Sequence, residues 1–551
     1  MTPLLSLENL CVALRPGSDR THAIQDISLK VGSNELLCVV GESGSGKSIL
    51  AHAIMGLLPS TVGEKHGQIF FDGREIGGLA EEEARRLRGT EIAMIFQEPM
   101  TALNPLMRVG DQIDEVLRYH TAIQPKDRRV AAEQALKDVG LPDIKRIIRS
   151  YPFQLSGGQR QRVMIAMSLV LEPKLLLADE PTTALDVTTQ GKILQLIREL
   201  QQKKHMSVVF ITHDFGVVEE IADRVVVMQQ GRLVEEGNTQ SVLRNPQHAY
   251  TKKLVAAVPK YTRRQTRSVA EHKPVLAASD VGKNFYLPTG FLSTREIAAV
   301  KDVSIDLFPG ECLGIVGESG SGKSTFGRLL MRLIDPDQGT IRLGGTDIGY
   351  LKGDALRNAR RRIQMVFQDP YSSLNPRRRI GDQIMSGLLS SGVPKAKAQA
   401  KAEELLNLVG LETSSIYRYP HQFSGGQRQR IAIARALALQ PEIVIADEPV
   451  SALDVTVQDQ VLQLFEKIRD ELGVSLVFIT HDLRVAARMS DRVAVMSHGS
   501  IVEIQPTNGL FDNPREEYTK KLISAVPGAG WIDAAVRSDA RSQSAHTIAS
   551  D

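Results

Sequence analysis

Two stretches of the chain read GESGSGKS, Gly41 to Ser48 and Gly317 to Ser324, and each follows a short apolar run, LLCVV and LGIV. This is the GxxxxGK[ST] spacing, in which a glycine-rich backbone wraps phosphate oxygens and offers them the amides at the start of the next helix. Gly41, Glu42, Ser43, Gly44, Ser45 and Gly46 form one such loop, and Gly317, Glu318, Ser319, Gly320, Ser321 and Gly322 the other. Lys47 and Lys323 then neutralise β- and γ-phosphates, Ser48 and Ser324 offer a hydroxyl to Mg²⁺, and Ile49 and Thr325 complete the stretch. Two further apolar runs end in acid, LLLADE at Asp179 and Glu180 and IVIADE at Asp447 and Glu448. The first acid of each pair suits Mg²⁺ held through water, and the second suits a base that orients attacking water. An adjacent pair at a strand end is expected to point its side chains to opposite sides.

The elements that position these residues occur twice. The phosphate loops lie 276 residues apart, whereas SGGQRQR, ADEP and FITHD each recur 268 residues on, so the two halves share a register after a few small insertions or deletions. Short apolar runs followed by glycine or acid read as buried strands of a parallel sheet. The stretches Asp111 to Val139 and Asp382 to Val409 carry spaced apolar residues and read as amphipathic helices inserted between strands. The fold class is therefore α/β: two tandem domains, each a mainly parallel sheet with a helical insertion. Residues 1–260 form the first domain, the polar and basic 261–274 a linker, 275–527 the second domain and 528–551, with Trp531, a flexible tail.

Composition narrows the class further. With 42% hydrophobic and 24% charged residues the chain is neither disordered nor fibrous. A net charge of +3 shows no general footprint for nucleic acid, and none is expected as a partner. Cys11, Cys38 and Cys312 form no CxxC pair, so neither a disulfide framework nor zinc is expected. No secretory signal or run of about 18 apolar residues is present, so any work at a membrane needs partners to hold the chain there.

Taken in order, phosphate loop, Gln97, LSGGQ, LADEP, ALD and THD, repeated with Gln368 and FSGGQ, the sequence resembles the nucleotide-binding domains of ABC ATPases, that is, two P-loop NTPase domains in one chain. The resemblance implies that Ser156, Gly157, Gly158 and Gln159, and likewise Ser424, Gly425, Gly426 and Gln427, contact the γ-phosphate of ATP held by the opposite domain, in an intramolecular nucleotide sandwich. It assigns His213 and His481 to the γ-phosphate and to holding the glutamate, although a lone histidine is more often structural. It assigns Gln97 and Gln368 to Mg²⁺, to water and to communication with the helical insertion. The adenine is expected against an aromatic residue, Phe285 or its neighbour Tyr286 in the second copy. The first copy has Leu14 at the comparable place and Ile49 where Thr325 stands in the second, so weaker ATP binding is expected there. Phe423 replaces the usual leucine before SGGQ.

Peripheral sequence points to a task. EPMTALNP and DPYSSLNP follow the two glutamines, and the copies close with NPQHAYTKKLVAAVP and NPREEYTKKLISAVP. These resemble ATPase subunits of dipeptide, oligopeptide and nickel importers, and the fusion resembles the microcin C and peptide importer type, more distantly the glutathione importer type. The resemblance implies a peripheral ATPase on the cytoplasmic face of the inner membrane, two integral-membrane permease subunits and a periplasmic or extracellular substrate-binding protein. ATP and Mg²⁺ are the implied cofactors. Some relatives carry an iron–sulfur cluster on C-terminal cysteines, and none is expected here because no cysteine follows Cys312. The competing resemblance, a soluble translation factor with two ABC domains, lacks support from a junction too short for a long charged helix.

Overall fold

Leu36 to Val40 are five apolar residues in a row, all fully buried, and this follows from a strand covered on both faces. Leu36, Cys38 and Val40 face a layer of helices, while Leu37 and Val39 face a second, antiparallel sheet. The computed structural model describes residues 3–15, 17, 20–98, 102–182, 185–259, 261, 273–288, 294–451 and 453–528.

In the first copy the strands are β1 (Leu5–Leu14), β2 (His22–Val31), β3 (Leu36–Val40), β4 (Val62–Phe71), β5 (Arg74–Glu75), β6 (Ile92–Ile95), β7 (Leu175–Asp179), β8 (Ser207–Ile211), β9 (Arg224–Gln229) and β10 (Arg232–Asn238). The central sheet has the order β10-β9-β3-β8-β7-β6, parallel except for the edge strand β10. The antiparallel sheet β2-β1-β4-β5 packs against the other face, together with the helix α1 (Lys47–Met55). The sequence reading anticipated the parallel sheet but not this second one, whose alternating strands are interrupted by bulges.

The expected amphipathic insertion is a helix pair, α2 (Val109–His120) and α3 (Pro125–Asp138), broken where Pro125 occupies the first turn. Val109, Ile113 and Leu117 recur every four residues and are buried in the helical layer with Leu136. After it come α4 (Gly157–Leu169), α5 (Val187–Lys204), α6 (Phe215–Ile221) and α7 (Ala249–Ala257).

The second copy repeats this plan. Its strands are β11 (Leu276–Pro288), β12 (Thr294–Leu307), β13 (Cys312–Val316), β14 (Gln338–Leu343), β15 (Thr346–Asp347), β16 (Ile363–Val366), β17 (Ile443–Asp447), β18 (Ser475–Ile479), β19 (Arg492–Ser497) and β20 (Ser500–Pro506). They pair as β16-β17-β18-β13-β19-β20 and β12-β11-β14-β15. Its helices include α8 (Lys323–Leu330), α9 (Ile380–Ser390), α10 (Lys395–Leu408), α11 (Gly425–Leu437), α12 (Val455–Leu472), α13 (Leu483–Met489) and α14 (Glu517–Ser524).

The chain divides into two units, one running to Val258 and taking in Pro527, the other running from Pro259 to Val526. Tyr261, read from sequence as the first linker residue, is fully buried in the second unit beside Phe511, its hydroxyl 3.2 Å from Asp512 Oδ1. An aromatic ring held in this way is part of a fold. Residues 262–272 and the tail from 529, including Trp531, lie outside the described residues. The three cysteines are free, and burial pushes the thiols of Cys38 and Cys312 up. Among the described residues no helix is long and apolar enough to cross a membrane.

Candidate active site

Each phosphate loop follows a central strand, β3 or β13, and ends in a helix, α1 or α8, as its sequence context required. The glycine requirement is steric. A Cβ on Gly41 would lie 2.3 Å from the Met228 carbonyl oxygen, and one on Gly317 would lie 2.1 Å from that of Met496. Gly46 and Gly322 start the helices at φ 105° and 104°, a left-handed conformation open to glycine. Lys47 Nζ donates to the Gly41 and Glu42 carbonyls at 2.8 and 2.9 Å, and Lys323 Nζ to those of Gly317 and Glu318 at 2.8 Å each. Both lysines are about 95% buried, so their charge is concentrated inside the loop. Ser45 and Ser321 keep buried hydroxyls without a hydrogen-bond partner among the described residues, which fits a loop built around an anion.

The acidic pairs behave as two separate groups. Ser48 Oγ donates to Asp179 Oδ1 at 3.2 Å and Ser324 Oγ to Asp447 Oδ1 at 2.8 Å. Burial, reinforced by the neighbouring glutamate and opposed by the serine hydrogen bond, pushes both aspartates above the usual carboxylate range. Hydroxyl and carboxylate oxygens at the foot of a phosphate loop are the hard donors that Mg²⁺ takes, and a cation there would relieve the buried charge. The glutamates turn away for a reason other than strand alternation. Glu180 and Glu448 sit at φ 46° and 45°, in the left-handed region, at a cost of roughly 1–2 kcal/mol each. That turn sets Glu180 between Gln97 Nε2 at 3.2 Å and His213 Nδ1 at 3.3 Å. Glu448 lies between Gln368 Nε2 at 2.8 Å and His481 Nδ1 at 3.2 Å.

Burial opposes a charge on either histidine, but the hydrogen bond to the glutamate and its negative charge outweigh burial and push both imidazoles up. For Glu448 burial is likewise outweighed, by His481 first and then Lys323, and its carboxyl is held below the usual range. A carboxylate ionised at neutral pH, beside a phosphate cradle and fixed by two side chains, can accept a proton from water. The THD aspartates have a structural part: Asp214 and Asp482 cap α6 and α13, which places each preceding histidine. The ALD aspartates Asp186 and Asp454 cap α5 and α12 in the same way.

The SGGQ segments open α4 and α11. Ser156 Oγ accepts from Gln159 N at 3.3 Å, and Gln159 Oε1 accepts from Ser156 N at 3.1 Å, a reciprocal box that Ser424 and Gln427 repeat. The two glycines differ in purpose. A Cβ on Gly158 would strike Thr189 at 2.6 Å and one on Gly426 would strike Val457 at 2.1 Å, so the second glycine serves helix packing. Gly157 has open space beside it and is the glycine that leaves room for a ligand. Phe423 is as buried as Leu155, so the change before SGGQ is absorbed in the core.

Where the sequence reading expects adenine, strand register sets Leu14 of β1 in the place of Phe285 of β11. Phe285 is 37% exposed, with Lys283 Nζ 5.9 Å from its ring centroid, whereas Leu14 packs against the core. In the first copy the Arg20 guanidinium donates to the Gly44 carbonyl in the phosphate loop. One pair of residues escaped the sequence reading. Tyr250 of α7 and Tyr518 of α14 place their hydroxyls 3.1 and 3.3 Å from the amides of Glu42 and Glu318. The signal was present, since both belong to the repeated YTKKL that closes each copy.

Comparison with known proteins places these features. The ABC transporter family matches residues 24–183 and 300–451, and the oligopeptide/dipeptide transporter C-terminal region matches 234–287 and 502–546. The chain is 47% identical to the glutathione import ATP-binding protein GsiA of Escherichia coli (strain K12), over 96% of this chain and 90% of that protein. The Salmonella typhimurium protein of that name is 46% identical over the same shares. Among solved structures, a dimeric post-hydrolysis state of the ATP-binding cassette MJ0796 bound to ADP and phosphate matches at 31% identity and TM-score 0.39, covering 42% of this chain and 98% of that one.

Proposed function

The chain belongs to the ATPases of ABC transporters, in the branch that ends in an oligopeptide/dipeptide transporter C-terminal region, and from that premise we propose how its two sites work. It hydrolyses ATP as the subunit that drives an importer of peptides or peptide-like compounds.

In each site the glycine loop and Lys47 or Lys323 hold the β- and γ-phosphates. Ser48, Gln97 and Asp179, or Ser324, Gln368 and Asp447, would hold Mg²⁺, which would supply positive charge against the phosphate oxygens. Glu180 or Glu448 takes a proton from water as the water oxygen bonds to the γ-phosphorus and the bond to the ADP oxygen breaks. His213 or His481 and the paired glutamine hold the carboxylate in line, and positioning with charge stabilisation needs no covalent intermediate. SGGQ of each copy meets the γ-phosphate held by the other, and closure on ATP passes to the membrane through the helical insertions. Two permease subunits hold the chain peripherally at the cytoplasmic face, and a substrate-binding protein delivers cargo from the far side. The cargo class is short peptides, with glutathione the member that its relatives' names favour.

The observation that carries this reading is the whole constellation of loop, aspartate, glutamate, glutamine and histidine present twice in a chain that also carries the peptide-transporter C-terminal region. The test is purification of the tagged chain from detergent-solubilised membranes, then uptake of labelled glutathione and of an unrelated tripeptide into vesicles. Two multi-spanning proteins in the eluate and ATP-dependent uptake are expected. Ribosomal proteins with no membrane protein would overturn the assignment.

A further inference from the structure

The two copies diverge at a turn that the backbone builds identically. In the first, the buried Gln112 accepts from Asn104 N at 2.9 Å and donates to the carbonyls of Asn104 and Met107 at 3.0 Å each. In the second, the buried Gln383 accepts from Asn375 N at 2.9 Å and donates to the carbonyls of Asn375 and Arg378 at 3.0 and 2.9 Å. Asn104 Oδ1 accepts from Leu106 N, and Asn375 Oδ1 from Arg377 N. Each turn is stitched to the segment before SGGQ, Val109 N donating to Ser150 O and Ile380 N to Arg418 O, both at 2.9 Å. In that segment Tyr151 stacks on Phe153 and Tyr419 on His421.

On this shared frame the side chains are exchanged. Leu106 is held 85% exposed and Phe153 61% exposed, with the half-buried Met107 beside Leu106. Their counterparts Arg377, Arg378 and His421 are all exposed, and Arg379, matched by the exposed Arg108 in the first copy, extends the basic run to three. Among the described residues no carboxylate lies within ion-pair distance of these three arginines, and Arg378 reaches only the Asp382 carbonyl, at 3.4 Å. A whole-chain charge of +3 makes the triplet a local feature. A hydrogen-bonded turn that leaves a leucine 85% exposed in one copy and clusters like charges in the other gains its own domain little burial from those side chains. Each turn also begins seven residues after the glutamine that touches Glu180 or Glu448, so the state of the nucleotide site has a short path to it.

We infer that the two turns dock on different permease subunits: the apolar turn of the first copy on an apolar cytoplasmic segment, and the arginine turn of the second on a segment carrying carboxylates. This rests on the transporter reading above. Unlike charge and apolar character on one frame then fix which permease meets which copy, because the wrong pairing buries arginines against an apolar surface.

The test uses the full chain purified with its permeases. In R377E/R378E one permease is lost, by about tenfold or more in recovery, while the other stays. Washing the wild-type complex from about 0.05 M to about 0.5 M salt releases that same permease first. L106D releases the other permease, with no salt dependence. Basal ATP turnover of both variants stays at the wild-type value, showing that the fold is intact. Lysines in place of the acidic residues on the lost permease restore its binding to R377E/R378E. Retention of both permeases by the charge-reversed variant, or loss of both together, would overturn the inference. So would binding of the wild-type chain, abolished in R377E/R378E, to protein-free anionic vesicles while permease recovery is unchanged, since lipid headgroups would then be the arginines' partner. Absence of any membrane protein from the wild-type eluate would defeat the transporter reading itself.

Discussion

Replacing Glu180 and Glu448 by glutamine separates chemistry from binding. Each carboxylate sits between two side chains, Gln97 and His213 or Gln368 and His481, at 2.8 to 3.3 Å. Glutamine has the same shape and keeps one carbonyl oxygen for these contacts, and it leaves the lysine contacts of the phosphate loop untouched. What it removes is the site that accepts a proton. General-base catalysis is worth about 10²- to 10⁴-fold, which is roughly 2.7 to 5.4 kcal/mol on the barrier. With two competent sites, E180Q or E448Q alone should leave about half of the turnover if the sites fire independently, and the double variant should lose about 10²- to 10⁴-fold. Phosphate release at saturating Mg·ATP measures this, with retention of labelled ATP as the control. A second readout follows from the histidines. Their raised pKa owes most to the adjacent carboxylate; in the variants burial and the loop lysine act against Asp214 or Asp482 alone, so both values should fall, visible by NMR titration. Wild-type turnover in the double variant would refute the assignment of the bases, and unchanged histidine titration would refute the pairing.

Other consequences can be checked on the full chain. Lys47→Ala and Lys323→Ala each leave one working site. The site left by K323A should bind ATP about two- to tenfold more weakly, since it lacks an aromatic contact worth about 0.5 to 1.5 kcal/mol, and Leu14→Phe should narrow the gap in fluorescent-nucleotide titration. Tyr250→Phe and Tyr518→Phe remove the hydroxyl beside the Glu42 and Glu318 amides and should weaken ATP binding by about 1 kcal/mol or less, against no change if these tyrosines only pack. In the first copy Gly56 leaves a cavity of about 260 Å³ by Met55, Lys65 and Gly77, where the second copy places the buried Arg332, itself at φ 57° and bonded to the Ile348 carbonyl. Gly56→Arg should therefore raise Tm by about 2 to 4 °C, and a lowered Tm would mean that Arg88, 3.2 Å from a Cβ at this position, or Lys65 already claims the space. Burial opposes ionisation of Glu235, but the amides of Gln247 and His248 outweigh it and hold its carboxyl below the usual range. Its contribution is then complete above the unfolded value of about 4.3 and lost as pH falls through the depressed one. The Tm difference between wild type and Glu235→Gln should be largest near pH 7 and close in acid.

The loop and strand-end frame of each candidate site was legible because phosphate-binding chemistry constrains residue type and spacing together. A phosphate loop needs glycine where another main chain presses on it, as at Gly41 and Gly317, and a strand must end in acid beside it. The helical insertion was legible through spaced apolar residues from Asp111 on, such as Ile113 and Leu117, and its first buried residue, Val109, lies just ahead of that reading. Other features were not, for physical reasons. The antiparallel sheet hides behind bulges that break the two-residue period of β1 and β11. The conformation of Glu180 and Glu448 is imposed by tertiary contacts, so strand alternation gave the right separation of the acids for the wrong reason. The roles of Tyr250 and Tyr518 depend on bringing residues about 200 positions apart to the loop, which no local pattern records. Tyr261 reads as linker by its polar neighbours and packs as core by its ring.

Duplication supplies an internal control on what each residue is for. Lysine, serine, aspartate, glutamate, glutamine and histidine recur in both copies with contacts that agree within about half an ångström, as charge stabilisation by fixed groups demands. Where the copies part, the backbone stays and the side-chain chemistry changes: leucine for phenylalanine where adenine is expected, glycine for arginine at the end of α1, and leucine for arginine on the exposed turn. Two ATP sites that differ in grip but share one catalytic geometry would close in an order set by affinity, the second loop filling first. An exposed turn that differs in charge between the copies would give each step of that order its own permease to move. If L14F equalises nucleotide affinity and leaves transport unchanged, affinity does not set the order, and the asymmetry of the turns must carry it alone.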